Sequence, residues 1–210
     1  MKKNSVLLIL LLLNFVSFGQ SKIEISYNEN IKIKKVKEST TFTISSDYGN
    51  VVLKGNEINL YKFKKPGIYT IKTHQTAINK EDSCGQNILP SQIIVNVSRS
   101  KIKFEGSKIK FSSPIKKNNE TSGITLSIPV TIKTYDNKPV LLDSTPIKAS
   151  GIGSTITATL NDNFKALSDG KHLLTYNLNG FVSENSYLMF DFIGANGRIQ
   201  SISLQSQIEN

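Results

Sequence analysis

The sequence predicts an all-β protein: two β-sandwich domains in tandem after a cleaved signal peptide. Three observations carry this reading. Apolar and polar residues alternate in run after run, most cleanly at Ile124, Leu126, Ile128, Val130 and Ile132, which is the period of a half-buried strand. Turn residues such as Pro66-Gly67, Asp136-Asn137-Lys138-Pro139, Asp169-Gly170 and Asn196-Gly197 separate the runs, and no segment keeps helical spacing for a useful length. The chain also opens with Met1-Lys2-Lys3, the apolar run Val6–Leu13, and small residues Ser17 and Gly19 at the −3 and −1 positions before Gln20. That is the order of a secretory signal.

Residues 1–19 are therefore expected to leave on export. The alternative is an uncleaved N-terminal anchor, against which Asn14 and Ser17 interrupt the apolar run near the length a span requires. No Cys stands at the cleavage point, so the signal is of the ordinary secretory kind and not a lipoprotein signal, and no later segment is apolar enough to span a membrane. The mature chain is expected to be secreted, periplasmic or at the cell surface. Its length suits one large sandwich or two domains with their own cores. Cys84 is the single cysteine, so no disulfide forms within the chain. Its thiol is free, either buried or paired with a second molecule.

The first domain is expected over residues 20–98. Its strands are Lys22–Tyr27, Ile31–Val36, Thr41–Ser45, Val51–Lys54, Glu57–Phe63, a strand built on Ile68, Tyr69 and Ile71, and Ser91–Ser98. The corner Pro66-Gly67, a fixed φ beside a permissive one, opens the sixth of these. The polar stretch Gln75–Pro90 is a loop and holds Cys84.

The second domain is expected over residues 101–210. Lys101–Glu105 and Lys108–Ser112 lead into a polar loop, Ser113–Ser122, and then to the strand through Ile132. Pro129 removes a ladder donor from that strand, which should lie at an edge or carry a bulge there. Val140–Leu142, Thr145–Ser150 and Ser154–Leu160 continue the pattern. Asn161–Gly170 is the one place where a helical turn is expected, through Phe164, Ala166 and Leu167. His172–Leu178 follows, and a hairpin of Tyr187–Ile193 and Arg198–Leu204 closes around Asn196-Gly197 as a type I′ turn.

Within the first domain, the run Tyr-x-Phe-x-x-Pro-Gly-x-Tyr-x-Ile from Tyr61, leading to the Ile93, Val95, Val97 strand, resembles the end of a PKD-type or related immunoglobulin-like β-sandwich. In such domains the Pro-Gly-x-Tyr corner opens the penultimate strand. The resemblance covers about a third of the mature chain, implies the fold and carries no catalytic residue. Between Ser39 and Gly55 the chain departs from the PKD pattern, with no Trp or Asp-Gly-rich motif. The stretch Leu167–His172 is similar to the Leu-x-Asp-Gly-x-Tyr corner of immunoglobulin-like repeats, with His172 in place of the tyrosine, so the two halves rhyme.

The net charge of +10 falls to +8 once Lys2 and Lys3 leave with the signal. Lysines alternate with apolar residues, as in Ile31-Lys32-Ile33-Lys34 and Lys101-Ile102-Lys103-Phe104. On a strand this puts ammonium groups in solvent, where they also discourage edge-to-edge aggregation. The partner it leaves open is an anionic surface, acidic polysaccharide or lipid headgroups. Nucleic acid is not expected in an exported chain without interleaved arginines or aromatic platforms.

Catalytic constellations are not expected. A nucleophile needs a base, and only His74 and His172 are present. Cys84 lies ten positions after His74, but nothing marks an orienting third group. Two His and one Cys without motif spacing do not make a zinc site. Asn28-Glu29-Asn30, Asp136-Asn137 and Asn161-Asp162-Asn163 offer oxygen ligands for calcium, yet form no recognised loop motif and read as turns. No catalytic, cofactor or metal residue is therefore assigned. Of Tyr48, Tyr61, Tyr135, Tyr176 and Tyr187, most are expected to pack in the core, which leaves glycan binding without its usual Trp platform. Asn96-Val97-Ser98 and Asn119-Glu120-Thr121 match the N-glycosylation pattern. Asp143-Ser144-Thr145 resembles the short acceptor of O-glycosylated surface proteins in some Gram-negative bacteria, which implies Ser144 as the modified residue.

The function implied is an exported, non-enzymatic module for adhesion, assembly or protein interaction, acting through loops or a sheet edge on a protein or surface polysaccharide. A glycan-binding accessory module is the first alternative. A hydrolase whose site the sequence does not show is the second.

Overall fold

The computed structural model describes residues 21–75, 89–161, 166–185, 187–204 and 208–209. The chain is all-β, and it divides into two compact units. One comprises Met1–Ile23, Ile31–Tyr61 and Ile68–Val95; the other comprises Glu24–Asn30, Lys62–Gly67 and Asn96–Asn210.

The first five strands are β1 (Ser21–Ser26), β2 (Thr41–Ser46), β3 (Gly49–Lys54), β4 (Gly67–His74) and β5 (Gln92–Ser98). They form one sheet in the order β1-β5-β4-β2-β3. Alternation decides its faces: Phe42 and Ile44 on β2, Tyr69 and Ile71 on β4, and Ile93 and Val95 on β5 are all buried. The pairing Ile44↔Ile71 keeps them on one side. Gly67 opens β4 at φ 136°, where an L side chain would be strained, so the Pro66-Gly67 corner is built as the sequence implied.

Two expected strands of this unit are not strands. Ile31–Val36 has no ladder partner, because the Asn59 side chain takes the place of one. Its Oδ1 accepts from the Ile33 N–H at 2.6 Å and its Nδ2 donates to the Ile33 carbonyl at 3.0 Å. Glu57–Leu60, within the expected strand Glu57–Phe63, is a one-turn helix that buries Ile58. Its acidic first residue suits the positive end of a helix, and the Glu57 carboxylate also accepts from the Lys54 N–H at 2.7 Å. These local polar bonds outbid the strand propensity of two short alternating runs.

The second unit has β6 (Ser100–Phe104), β7 (Lys110–Phe111), β8 (Ile115–Lys116), β9 (Thr125–Thr134), β10 (Val140–Leu141), β11 (Ile147–Lys148), β12 (Thr157–Leu160), β13 (Ala166–Leu167), β14 (Gly170–Asn179), β15 (Leu188–Ile193), β16 (Ile199–Leu204) and β17 (Ile208–Glu209). Six strands make the sheet β11-β12-β14-β9-β6, with β7 also on β9; β10-β13, β15-β16 and the parallel pair β17-β8 complete the set. The buried face of the large sheet presents Ile102, Phe104, Leu126, Ile128, Val130, Ile132, Ala158, Leu174, Tyr176 and Leu178. These join Leu188, Phe190, Phe192 and Leu204 of the β15-β16 hairpin in one core. Phe192 is at its centre, 5.0 Å from Phe104 and 5.6 Å from Tyr176 between ring centroids.

Pro129 sits in an interior strand, and the interruption falls in its neighbour. A residue's N–H and C=O point to the same side of a strand. Pro129 accepts from Glu105 N–H at 2.8 Å, so its missing donor also faces β6. There β6 ends, Gly106–Lys108 makes a 3₁₀ turn, and β7 resumes pairing at Lys110↔Ser127. The proline's missing donor thus faces the break between β6 and β7, and it is accommodated without an edge.

Three further expectations change. The Ser113–Ser122 loop contains β8, with Ile115 fully buried. Ala166 and Leu167 form β13, not a helical turn, and pair with β10; Phe164 lies outside the described residues. In the Asn196-Gly197 turn Gly197 alone has positive φ, 72°, so the turn is not type I′, which needs φ > 0 at both central residues. It is held by Gly197 N–H to the Gly194 carbonyl at 3.0 Å and Gly194 N–H to the Arg198 carbonyl at 2.8 Å.

Burial of Tyr176 has a measurable consequence. Desolvation, with Asp143 adding to it, pushes its phenol well above the usual range. A folded-state value above the unfolded one means that the unfolded chain releases its proton first as pH rises, so stability is lost upward from pH about 10. We expect denaturant midpoints to fall steeply above that pH in the wild type and less in Tyr176→Phe.

A basic face on the six-stranded sheet

Side chains on β9 alternate, so the residues between its buried ones stand on the opposite face of the sheet. Register sets what they meet. Lys101 pairs with Lys133, Thr131 lies between Lys103 and Lys171, and Pro129 pairs with Leu173. Directly opposite side chains on adjacent strands are about 5 Å apart at Cβ, so four ammonium groups converge at one end of the face. Like charges so placed repel unless countered. Lys101 is countered by Glu29, at 2.5 Å. Lys103, Lys133 and Lys171 have no ion-pair partner among the described residues.

Two concavities open on this face. One, of about 400 Å³, is lined by Tyr27, Asn28, Lys101, Lys103, Glu105, Thr131 and Lys133. The other, of about 540 Å³, is lined by Ser107, Lys108, Lys110, Phe111, Ser112, Ser127, Pro129 and Leu173. The first is walled by the turn after β1, which is held in place by polar bonds. The Tyr27 hydroxyl donates to the Thr134 carbonyl at 3.2 Å, and the Tyr27 ring meets Tyr135 edge-on at 5.9 Å. Burial pushes the Glu29 carboxyl up, but the Lys101 hydrogen bond, the Ser26 N–H and the charges of Lys101 and Arg198 outweigh it, so it is held below its ordinary range. The Glu105 carboxyl is also lowered, first by its hydrogen bond from Lys108 and then by the Lys108 charge, with Lys171 and Lys103 contributing.

The residues singled out in the sequence fall elsewhere. Cys84 and residues 1–20 lie outside the described residues, as do Asp162 and Asn163. Ser144 is exposed between β10 and β11, in a turn where Asp143 accepts from the Thr145 N–H at 2.8 Å. His74 ends β4 opposite Thr41, and the His172 ring bonds the Ser168 carbonyl at 2.8 Å. Asp136 is engaged by Arg99 at 2.7 Å and by the Lys138 N–H at 3.3 Å, and Asn137 is left-handed at φ 55°. These are the bonds of a turn. Of the two N-glycosylation patterns, the second has its Thr121 buried and donating to the Gly180 carbonyl at 2.8 Å. Among the five tyrosines, Tyr176 alone is in the core; Tyr48, Tyr135 and Tyr187 are about half exposed. Core space goes to phenylalanine and aliphatic residues because a buried phenol must find a polar partner.

What sequence reasoning missed is the convergence of Lys103, Lys133 and Lys171. The Lys-x-Lys spacing signalled one row of it, but register brought in the other strands. Geometry and charge thus define a class, an all-β protein with a basic, concave sheet face. Compared with known protein families, curated proteins and solved structures, the chain matches none. Among the described residues no helix is long and apolar enough to cross a membrane.

Proposed function

We propose that this chain is an exported, non-catalytic binding module that acts at the cell surface and engages its partner through the outer face of the six-stranded sheet. The observation that carries the reading is the group of ammonium ions at Lys103, Lys133 and Lys171, none of them in an ion pair among the described residues and with the Glu105 carboxylate, itself paired to Lys108, as the acidic group beside them, held on one sheet face beside two concavities. Holding like charges together costs stability, and an anionic partner would recover it. The sequence alone suggested loops or a sheet edge, but the charge is concentrated on a face.

Both units are variants of the immunoglobulin-like sandwich in this reading. What supports it is the pair of corners at Gly67 and Gly170, with φ 136° and 134°, each opening a long strand. The signal and Ser144 belong to the same proposal. Mass spectrometry of the protein recovered outside the cell should give an N-terminus at Gln20 and an added glycan mass that Ser144→Ala removes. An intact Met1 in that material would overturn the export step.

The binding reading is tested by retention. Labelled mature chain should sediment with cells lacking the endogenous protein, in a salt-dependent manner, because partly exposed charges are screened over about 8 Å at physiological ionic strength. Lys103→Glu with Lys133→Glu should release it. Retention unchanged in that variant would defeat the proposal.

A further inference from the structure

We infer that the face binds a linear polysaccharide that carries carboxylates, laid along β9, with acidic groups at Lys103, Lys133 and Lys171 and sugar rings over Pro129 and Leu173. This rests on the binding-module reading above and names its ligand.

Spacing argues for a polymer. Lys103 and Lys171 stand on either side of Thr131, two strand spacings or roughly 10 Å apart, and Lys133 is two residues further along. A single small anion cannot contact all three, whereas carboxylates repeated along a chain can. Both concavities border β9, one containing Lys133 and the other Ser127, which are about 20 Å apart at ~3.3 Å per residue. The face therefore has the length for several sugar units.

Composition argues for sugar. Among the lysines stands the hydroxyl of Thr131, and further along the same face of β9 come an apolar floor of Pro129 and Leu173 and then the hydroxyl of Ser127. A uronate chain offers carboxylates for the ammonium groups, hydroxyls for the hydroxyls and C–H faces for the floor. Leu173 is 54% exposed on an outer face that has no need of it for the core. An acidic peptide fits less well. The backbone of β9 is engaged on both sides, by β14 and by β6 and β7, so a peptide would find no edge to pair with and would leave its own amides to water. A bilayer presents its charge in a plane and would leave both concavities filled with water.

The experiment uses the full mature chain, with polygalacturonate as probe and dextran, polyglutamate and phosphatidylglycerol vesicles as comparators. Saturable binding to polygalacturonate that persists at physiological salt, with none to dextran, is expected. Lys103→Glu with Lys133→Glu should weaken it about tenfold or more. Leu173→Ser should weaken it several-fold with the salt dependence unchanged. These side chains are on the outer face, so equal thermal midpoints will show that the variants fold. Equal affinity for polyglutamate or for vesicles would reduce the site to charge alone and overturn the assignment, as would indifference to the substitutions. If no probe binds while retention on cells still depends on Lys103 and Lys133, the polysaccharide assignment falls and the binding-module reading stands. Should retention ignore those lysines as well, both fall.

Discussion

Phe192→Ala should lower the stability of the protein by about 3–5 kcal/mol, the range for emptying a fully buried aromatic site. Phe192 is 0% exposed and lies within ring-contact distance of Phe104, Tyr176 and Phe190. Those neighbours belong to β6, β14 and β15, and backbone pairing in a sheet leaves them little freedom to close the cavity. Native domains are stable by only about 5–15 kcal/mol, so the variant should be marginal at 37 °C. Urea midpoints measure the effect. Leu173→Ala, an equally apolar truncation on the outer face, should stay within about 0.5 kcal/mol. A loss below about 1 kcal/mol in Phe192→Ala would mean that the β15-β16 hairpin is not packed on the large sheet as described.

Gly180→Ala should be nearly as damaging, for a different reason. Gly180 has φ +104°, a conformation costing an L residue about 1–3 kcal/mol. An added Cβ would also lie 2.6 Å from the Thr155 carbonyl oxygen, which is backbone and cannot rotate away. Backing off would break a cluster of bonds. The Gly180 carbonyl accepts from both the N–H and the hydroxyl of Thr121, while Thr155 and Phe181 are bonded to each other beside it. Adding about 1–3 kcal/mol for overpacking to that backbone cost gives an expected loss of about 2–6 kcal/mol. Gly49→Ala is the control. It has φ +113° with nothing within 4 Å of the added Cβ, so only the backbone cost of about 1–3 kcal/mol should appear. Equal losses in the two variants would show that conformation alone, and not the Thr155 contact, makes Gly180 necessary.

The all-β class was legible because alternation is a local property. Each residue's face follows from its neighbours two positions away, and Leu126, Ile128, Val130 and Ile132 are all buried as their spacing required. The Pro66-Gly67 and Asp169-Gly170 corners were legible for the same reason, since φ preference belongs to the residue itself. Segments where a side chain replaces a strand partner were not. Asn59 occupies the polar groups of Ile33 from twenty-six positions away, and nothing in Ile31–Val36 records it. Pro129 was legible as a missing donor, but whether its own strand or the neighbour gives way depends on where β6 turns.

For the candidate face, the sequence by itself determined that Lys101, Lys103 and Lys133 would point to solvent, since each alternates with a core residue, Ile102, Phe104 or Ile132, whereas Lys171, between Gly170 and His172, carries no such local signal. Only the tertiary structure decided that they share one end of one face. That follows from register, which pairs Lys101 with Lys133 and puts Thr131 between Lys103 and Lys171. A shift of one residue in β14 would turn its whole apolar set outward, so register is chosen by the burial of Leu174, Tyr176 and Leu178 against β15 and β16, a sum over contacts distant in sequence. The positions of the charges are a consequence of that packing, which no local pattern contains.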